Sequence, residues 1–124
     1  MLDTVLLLIR DPRLRQLYHE LLICENIEIV PVSKVENVII IEAFDKIDSL
    51  VLYPDDIDWN TMETFLKLQK KIVRLAQIRL ILLTSDPDQY SKLLSSNDVT
   101  INITHLNPDD VVKKIRQNLR ILTE

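Results

Sequence analysis

The chain has 124 residues, 47% of them hydrophobic and 27% charged, and a net charge of −4; this length indicates one domain over residues 1–124 with enough apolar residues for a core. The negative charge disfavours direct binding of nucleic acid, and no apolar run approaches the length of a membrane span. The sequence contains no glycine, which excludes the glycine-rich phosphate loops of P-loop and dinucleotide-binding proteins.

The first predicted strand covers residues 4–9 (TVLLLI), and a helix follows it. Asp11 is a suitable N-cap for this helix, and Pro12 suits the first helical position. The helix is predicted to reach about Glu25. Its inward stripe consists of residues at helical spacing, namely Leu14, Leu17, Leu21 and Cys24. Cys24 is the only cysteine, and the lack of an internal disulfide favours a reducing, cytoplasmic setting.

The second predicted strand, Ile27–Val32 (IEIVPV), contains a proline. It is therefore placed at a sheet edge, where a missing amide donor is tolerated. Ser33 and Glu36 have the spacing of a capping box, and they predict a helix that reaches about Phe44. The run of residues 38–41 (VIII) also fits a strand, so both interpretations remain open for this segment.

The third predicted strand, Leu50–Tyr53, is a short apolar run that ends at a proline and leads into the acidic segment 55–58 (DDID). Asn60 and Glu63 form a second capping box, and the helix that they predict reaches about Gln77. The apolar residues on one face of this helix are Phe65, Leu68, Ile72 and Leu75.

The remaining strands are predicted over Arg79–Thr84 (RLILLT) and Val99–Ile103 (VTINI), and Asp86-Pro87 opens a short helix between them. The last helix has the clearest start in the chain, because Asn107 caps it and Pro108 takes the first position. The residues that this helix is predicted to bury are Val111, Val112, Ile115, Leu119 and Leu122.

Five strands that alternate with five helices through short connections predict an α/β fold with a parallel sheet between two layers of helices. In open parallel sheets, functional groups gather beyond the carboxyl ends of the strands. Tyr53 and the acidic segment after it are therefore expected at the functional edge of the sheet.

Four segments resemble the receiver domains of two-component response regulators, the CheY-like family. Residues 11–15 (DPRLR) resemble the family's acidic-pair loop as it runs into the first helix. Residues 50–53 (LVLY) resemble the strand that ends in the phospho-acceptor aspartate. Residues 80–85 (LILLTS) are similar to the strand ending in the switch threonine, and residues 106–111 (LNPDDV) to the start of the last helix. The resemblance covers nearly the whole chain and implies a three-layer, flavodoxin-like fold with strand order 2-1-3-4-5.

Receivers use carboxylates, a cation and a lysine to stabilise the charge that develops during phosphoryl transfer. In this sequence Tyr53 stands at the acceptor position, Ile9 and Arg10 stand at the acidic pair, and Thr104 stands at the lysine position. Thr84 matches the switch threonine. The resemblance therefore implies a degenerate pseudo-receiver that is not an enzyme and has no catalytic residue, metal or cofactor.

The function implied by this resemblance is a phosphorylation-independent protein-interaction module of a phosphorelay-type signalling or transcriptional regulator. A protein partner or a second copy would bind to the face formed by the short helix, the fifth strand and the last helix. The residues expected on this face are Tyr90, Ile101, Lys113 and Arg116. Ile101 stands where the family usually carries an aromatic switch residue.

Two alternatives remain open. In the first, Asp55 or Asp56 is a displaced acceptor that binds Mg²⁺ together with Asp11. Each loop residue lies about 3.3 Å further from the strand end, which favours a solvated acidic loop instead. Two interpretations are open for Arg10: it pairs with one of these carboxylates and so replaces the cation, or it extends to solvent from the strand end. The second alternative is a flavodoxin-like small-molecule module, which the missing phosphate loop disfavours.

Overall fold

A computed structural model describes residues 3–23, 27–40, 47–72 and 76–119. The strands are β1 (Asp3–Leu8), β2 (Ile27–Val32), β3 (Ile47–Leu52), β4 (Arg79–Thr84) and β5 (Val99–Asn102). The α-helices are α1 (Pro12–Leu22), α2 (Val35–Ile40), α3 (Trp59–Lys71) and α4 (Pro108–Gln117), and 3₁₀ helices cover Pro54–Asp56 and Pro87–Leu93. The strands form one parallel sheet in the order β2-β1-β3-β4-β5, which confirms the predicted fold class.

The central strands β1, β3 and β4 are apolar on both faces, because helices cover the sheet on both sides. Leu6, Leu50 and Leu80 point into one hydrophobic cluster, which includes residues of α2, α3 and the Pro87–Leu93 helix. Leu7 and Val51 point into the other cluster, which α1 and α4 complete. Burial of each leucine contributes about 1.5–3 kcal/mol, so these strands hold their carboxyl ends in fixed positions.

The predicted edge position of β2 is confirmed. In the described sheet β2 pairs with β1 alone, and Pro31 lies in register with Leu7. A proline at an edge leaves no ladder hydrogen bond unmade inside the sheet.

The predicted caps of the first and last helices are confirmed. The Asp11 carboxylate accepts hydrogen bonds from the amides of Arg13 and Leu14 at 2.9 and 3.4 Å. The Asn107 side chain accepts from the amide of Asp110 at 2.9 Å. These bonds satisfy amides that have no partner within the helix.

The cap predicted for α3 is wrong. Asp58, and not Asn60, caps this helix by accepting from the amide and the hydroxyl of Thr61 at 3.0 and 2.8 Å. The sequence offers two good capping residues here, and the earlier one has its hydrogen-bonding partner three positions later. The helix therefore begins at Trp59.

The predicted inward stripe of α1 is also wrong in part. Tyr18 and Leu22 are the buried residues, whereas Leu17 is 38% exposed. Leu14 and Leu21 pack at the edge of the cluster. Because the helix advances about 100° per residue, this face is centred close to Tyr18. The predicted fourth member of the stripe, at position 24, lies outside the described residues.

The set of buried residues on α3 also differs from the predicted one. The buried residues are Met62, Phe65, Leu66 and Gln69. Leu68 and Ile72 are half-buried, and position 75 lies outside the described residues. The helix ends at Lys71, earlier than predicted, and β3 starts at Ile47, earlier than predicted.

Residues 38–40 are helical, which settles the open choice for the described part of that run. The predicted ends of the first two helices, near residues 25 and 44, fall outside the described residues, as does position 122 of the last helix. The predicted short helix is a 3₁₀ helix, and β5 ends at Asn102. In the described part of the chain, no helix is long and apolar enough to cross a membrane. No described residue has a positive φ angle.

Candidate functional site

The residues that follow β1, β3 and β4 meet at one edge of the sheet. The Tyr53 amide donates to the Leu8 carbonyl at 3.0 Å, and the Ile103 amide donates to the Thr84 carbonyl at 3.1 Å. These bonds extend the sheet ladder past the strand ends. They fix the backbone on which the predicted site residues lie, and they bring those residues to one edge of the sheet.

Tyr53 lies directly after β3 and packs against the cluster formed with α1 and α4. Burial raises the pKa of the Tyr53 hydroxyl, and the charges of Asp55, Asp56 and Asp11 raise it further. The phenol is therefore protonated at neutral pH. Its apolar ring fills the space at the end of the strand.

Asp55 makes the best-defined polar contacts of the edge. One carboxylate oxygen accepts from the Thr84 hydroxyl at 2.7 Å, and the other accepts from the Ser85 amide and hydroxyl at 2.9 and 2.8 Å. Asp55 is exposed, as the interpretation of a solvated acidic loop expects, but its carboxylate is also bonded to the end of β4. The reason is the Pro54–Asp56 3₁₀ turn, which folds the chain across β4 instead of extending it away from the sheet.

Thr84 is fully buried, and its hydroxyl takes part in two hydrogen bonds. It donates to Asp55 and accepts from the amide of Asp86 at 3.1 Å. Thr104, at the position of the family's lysine, donates its hydroxyl to the Asn102 side chain at 2.5 Å. The same hydroxyl lies 3.4 Å from the Ser85 carbonyl.

Asp56 is held by the neighbouring loop. One of its carboxylate oxygens accepts from the Asp11 amide at 3.2 Å, and the other is buried without a described partner. Burial raises the pKa of the Asp56 carboxyl, although the Asp11 hydrogen bond and the Arg10 charge act in the opposite direction.

Arg10 does not pair with a carboxylate, so that prediction is corrected. Its guanidinium lies 3.4 Å from the backbone carbonyl of Asp56, and the ion pairs among the described residues are Lys67–Glu63 and Lys70–Asp98. Ile9, the other residue at the acidic-pair position, is fully buried. Arg10 thus tethers the loop after β3 through its backbone, since the Asp56 carboxylate faces the Asp11 amide.

The carboxylates of Asp11, Asp55 and Asp56 at this edge all accept hydrogen bonds from protein groups. Asp11 caps α1, Asp55 binds Thr84 and Ser85, and Asp56 accepts from Asp11. Within the described ranges, no group of three or more histidine, cysteine, aspartate or glutamate side chains is arranged to hold a metal ion.

The predicted interaction residues do not share one outer surface. Tyr90 and Ile101 are only 2% and 5% exposed, and they lie in the two different clusters on opposite faces of the sheet. Arg116 points to α1, where it donates to the Leu21 carbonyl at 2.8 Å. Lys113 is exposed. The prediction of a common face is therefore wrong for Tyr90, Ile101 and Arg116.

Sequence reasoning missed Ser85 and the ring contact of Tyr90. Tyr90 packs against Trp59 with ring centroids 5.6 Å apart and planes inclined by 39°. The only sequence signal for Ser85 was its place directly after Thr84, at the end of a buried strand.

A cleft of about 260 Å³ opens beside Arg10, between the ends of β1 and β2 and the start of α3. Lys34, Glu36 and Asp58 contribute charged groups to its wall. Two other clefts, of about 410 and 390 Å³, lie at the start of β4 and between α2 and α3. Both volumes fall within the range of roughly 300–1,000 Å³ that is typical of ligand pockets, so cavity size does not separate the flavodoxin-like alternative from the receiver-like one.

Several solved structures share this fold. The chemotaxis response regulator CheY4 of Vibrio cholerae has a TM-score of 0.74 at 14% identity, with 96% of this chain and 100% of that chain covered. The phosphorylated cyanobacterial phytochrome response regulator RcpA has a TM-score of 0.75 at 16% identity, with 100% and 97% covered. An orphan response regulator of H. pylori has a TM-score of 0.67 at 12% identity, with 94% and 96% covered.

At these identities the likeness shows the fold, which is that of receiver domains. No protein-family model and no curated protein matches the sequence.

Proposed function

We propose that the chain is a receiver-like module of a two-component or phosphorelay system that acts through protein contacts without being phosphorylated. The observation that carries this proposal is Tyr53 at the end of β3, with Arg10 and the buried Ile9 after β1. A protonated phenol cannot form an acyl phosphate. The side chains of an arginine and an isoleucine cannot supply oxygen ligands to a divalent cation. As such a module the chain would work in the cytoplasm and would not be an enzyme.

The partner would be another protein or a second copy of this chain. Since Tyr90 and Ile101 are buried, the exposed part of the expected face is the outer side of α4, where Lys113 and Lys114 are exposed. Sedimentation velocity on wild-type protein and on Lys113→Glu tests the second copy. Weaker self-association of the variant supports it, and a monomer at every concentration indicates a different protein as partner.

The phosphorylation-independent state is tested by adding Mg²⁺ with beryllofluoride or acetyl phosphate to ¹⁵N-labelled protein. We expect the amide spectrum to stay unchanged, while a receiver with an intact acceptor aspartate responds in a parallel titration. A saturable shift of the amides at residues 53–58 and 84 would overturn the proposal.

A second candidate is a receiver that is phosphorylated at Asp56. The buried carboxylate oxygen of Asp56 that has no described partner favours this residue over Asp55, whose oxygens are both bonded. In this case the titration would saturate in wild-type protein and fail in Asp56→Asn. Asp88→Asn is the matched control, because it removes one charge from an exposed position.

A further inference from the structure

We propose that the Asp55 carboxylate is an internal latch that holds the segment Thr84–Asp86 in one conformation. It does so by filling an oxyanion site that this segment would otherwise offer to solvent. The proposal rests on the proposed function, since it explains how a module without phosphorylation keeps one defined state. Asp55 is the residue responsible, and the donors that it engages belong to Thr84 and Ser85.

The donors converge on one carboxylate from a short stretch of chain. They are the Thr84 hydroxyl, the Ser85 amide and the Ser85 hydroxyl, at 2.7, 2.9 and 2.8 Å. Asp55 lies 29 and 30 positions away from these residues in sequence. Three convergent donors, two of them hydroxyls, are the arrangement that stabilises an anionic oxygen pair.

No cation shares the Asp55 carboxylate within the described ranges, because the ion pairs there involve other residues. Its negative charge is therefore stabilised by the N–H and O–H dipoles of Thr84 and Ser85 and by solvent, since Asp55 is exposed. Loss of the carboxylate would leave the Thr84 hydroxyl buried without its acceptor. A buried hydroxyl without a partner is costly, so the segment would rearrange or bind another anion.

The latch connects the same two parts of the chain as the aromatic contact. Asp55 precedes α3, which begins at Trp59, and Ser85 precedes the 3₁₀ helix that carries Tyr90. The Trp59 and Tyr90 rings touch across these two elements. A change at Ser85 is thus expected to move Tyr90 relative to Trp59, and the emission of this single tryptophan reports it.

The decisive variants are Asp55→Ala and Asp55→Asn, with Asp88→Asn as the charge-matched control. The Asp88 side chain is exposed and accepts no hydrogen bond among the described residues. In both Asp55 variants we expect exchange of the Ser85 amide hydrogen to accelerate by about tenfold, the factor for one lost bond to a charged acceptor. We also expect the Trp59 emission to shift. Far-UV circular dichroism verifies folding, and Asp55→Asn keeps the side-chain size if the alanine variant does not fold.

Acetate is the probe for the vacated donors. In Asp55→Ala, added acetate is expected to restore the Ser85 amide shift and the Trp59 emission saturably, while wild-type protein does not respond. The latch is wrong if Ser85 and Trp59 behave alike in Asp55→Ala and Asp88→Asn, or if acetate has no saturable effect on Asp55→Ala. Either failure is separate from a failure of the proposed function, which shows as a response of wild-type protein to beryllofluoride.

Discussion

Two aspartates bind opposite ends of β4, and they do so with similar donors. At the carboxyl end, Asp55 accepts from Thr84 and from the amide and hydroxyl of Ser85. At the amino end, Asp98 accepts from the amide of Leu80 and from the amide and hydroxyl of Ser95. Asp98 thus joins Ser95 to the start of β4, whereas Asp55 joins the turn after β3 to the end of β4.

The two sites differ in charge balance and burial. Asp98 also pairs with Lys70 at 2.5 Å, and its side chain is only 2% exposed. Asp55 has no cation in the described ranges and is exposed overall. A buried carboxylate that has a cation contributes to stability through several coupled bonds. An exposed carboxylate held by dipoles contributes less, and after its removal another anion can bind to the vacated donors. Asp98 is therefore an anchor of the fold, and Asp55 is suited to fix the state of a loop.

The largest expected effect is that of Asp98→Ala. It should lower the free energy of unfolding by about 3 kcal/mol, because it leaves buried donors unsatisfied and Lys70 without its partner. Urea denaturation followed by circular dichroism measures this change. Lys70→Met is the companion variant, which removes the cation and keeps the amide bonds. A loss of less than about 1 kcal/mol in Asp98→Ala would show that the burial of this carboxylate does not matter.

Asp55→Ala is expected to cost less, about 1–2 kcal/mol, because solvent replaces part of the lost hydrogen bonding at this exposed position. The same urea titration gives the value, with Asp88→Asn as control. If Asp55→Ala destabilised the protein as much as Asp98→Ala, the distinction between anchor and loop latch would fail.

Ser85→Ala and Ser95→Ala compare the two hydroxyls directly. Each should lower stability by about 0.5–1 kcal/mol, since the serine amide that donates to the carboxylate is retained. We expect Trp59 emission to change in Ser85→Ala only, because Ser95 lies at the other end of β4. Equal emission changes in the two variants would remove the link between Ser85 and the aromatic pair.

Asp58 extends the comparison to a fully exposed carboxylate, and the smallest effect is expected there. The Thr61 hydroxyl and amide lower the pKa of Asp58. Because the folded-state pKa is below the unfolded one, the stabilisation is present above about pH 3.9 and is lost as pH falls through the folded value. Asp58→Ala should therefore lower the melting temperature at pH 7 slightly, with a difference that vanishes in strong acid. A difference that persists at low pH would contradict the role of the charge.

The sequence was sufficient where the signal is local. Strand β4 has the predicted bounds, and Asp11 and Asn107 cap helices through amides within three residues. The strand ends also located Tyr53 and Thr84, because parallel strands bring their carboxyl ends to one edge. These features depend on short segments whose pattern is visible in the printed chain.

The long-range contacts of Asp55 and Asp98 could not be predicted, because the partners lie 18 to 30 positions away in sequence; they are Thr84 and Ser85 for Asp55, and Lys70 and Leu80 for Asp98. The position of a loop carboxylate depends on the turn that carries it. An extended loop would have carried Asp55 away from the sheet, whereas the Pro54–Asp56 3₁₀ turn brings it to the end of β4. Tyr90 and Ile101 were misplaced for a related reason. Which face of the sheet a residue reaches depends on the packing of the whole layer.

The ordinary backbone angles of this chain have a consequence for its unfolded state. None of the described residues has a positive φ, and the C-cap residues of α1, α3 and α4, which are Ile23, Ile72 and Asn118, all have negative φ. Glycine loses more conformational freedom on folding than any other residue, about 0.5–1 kcal/mol relative to alanine. A chain without glycine therefore begins from a stiffer denatured ensemble and loses less entropy when it folds. Part of its stability thus comes from the disordered chain and has no counterpart in any contact of the folded one.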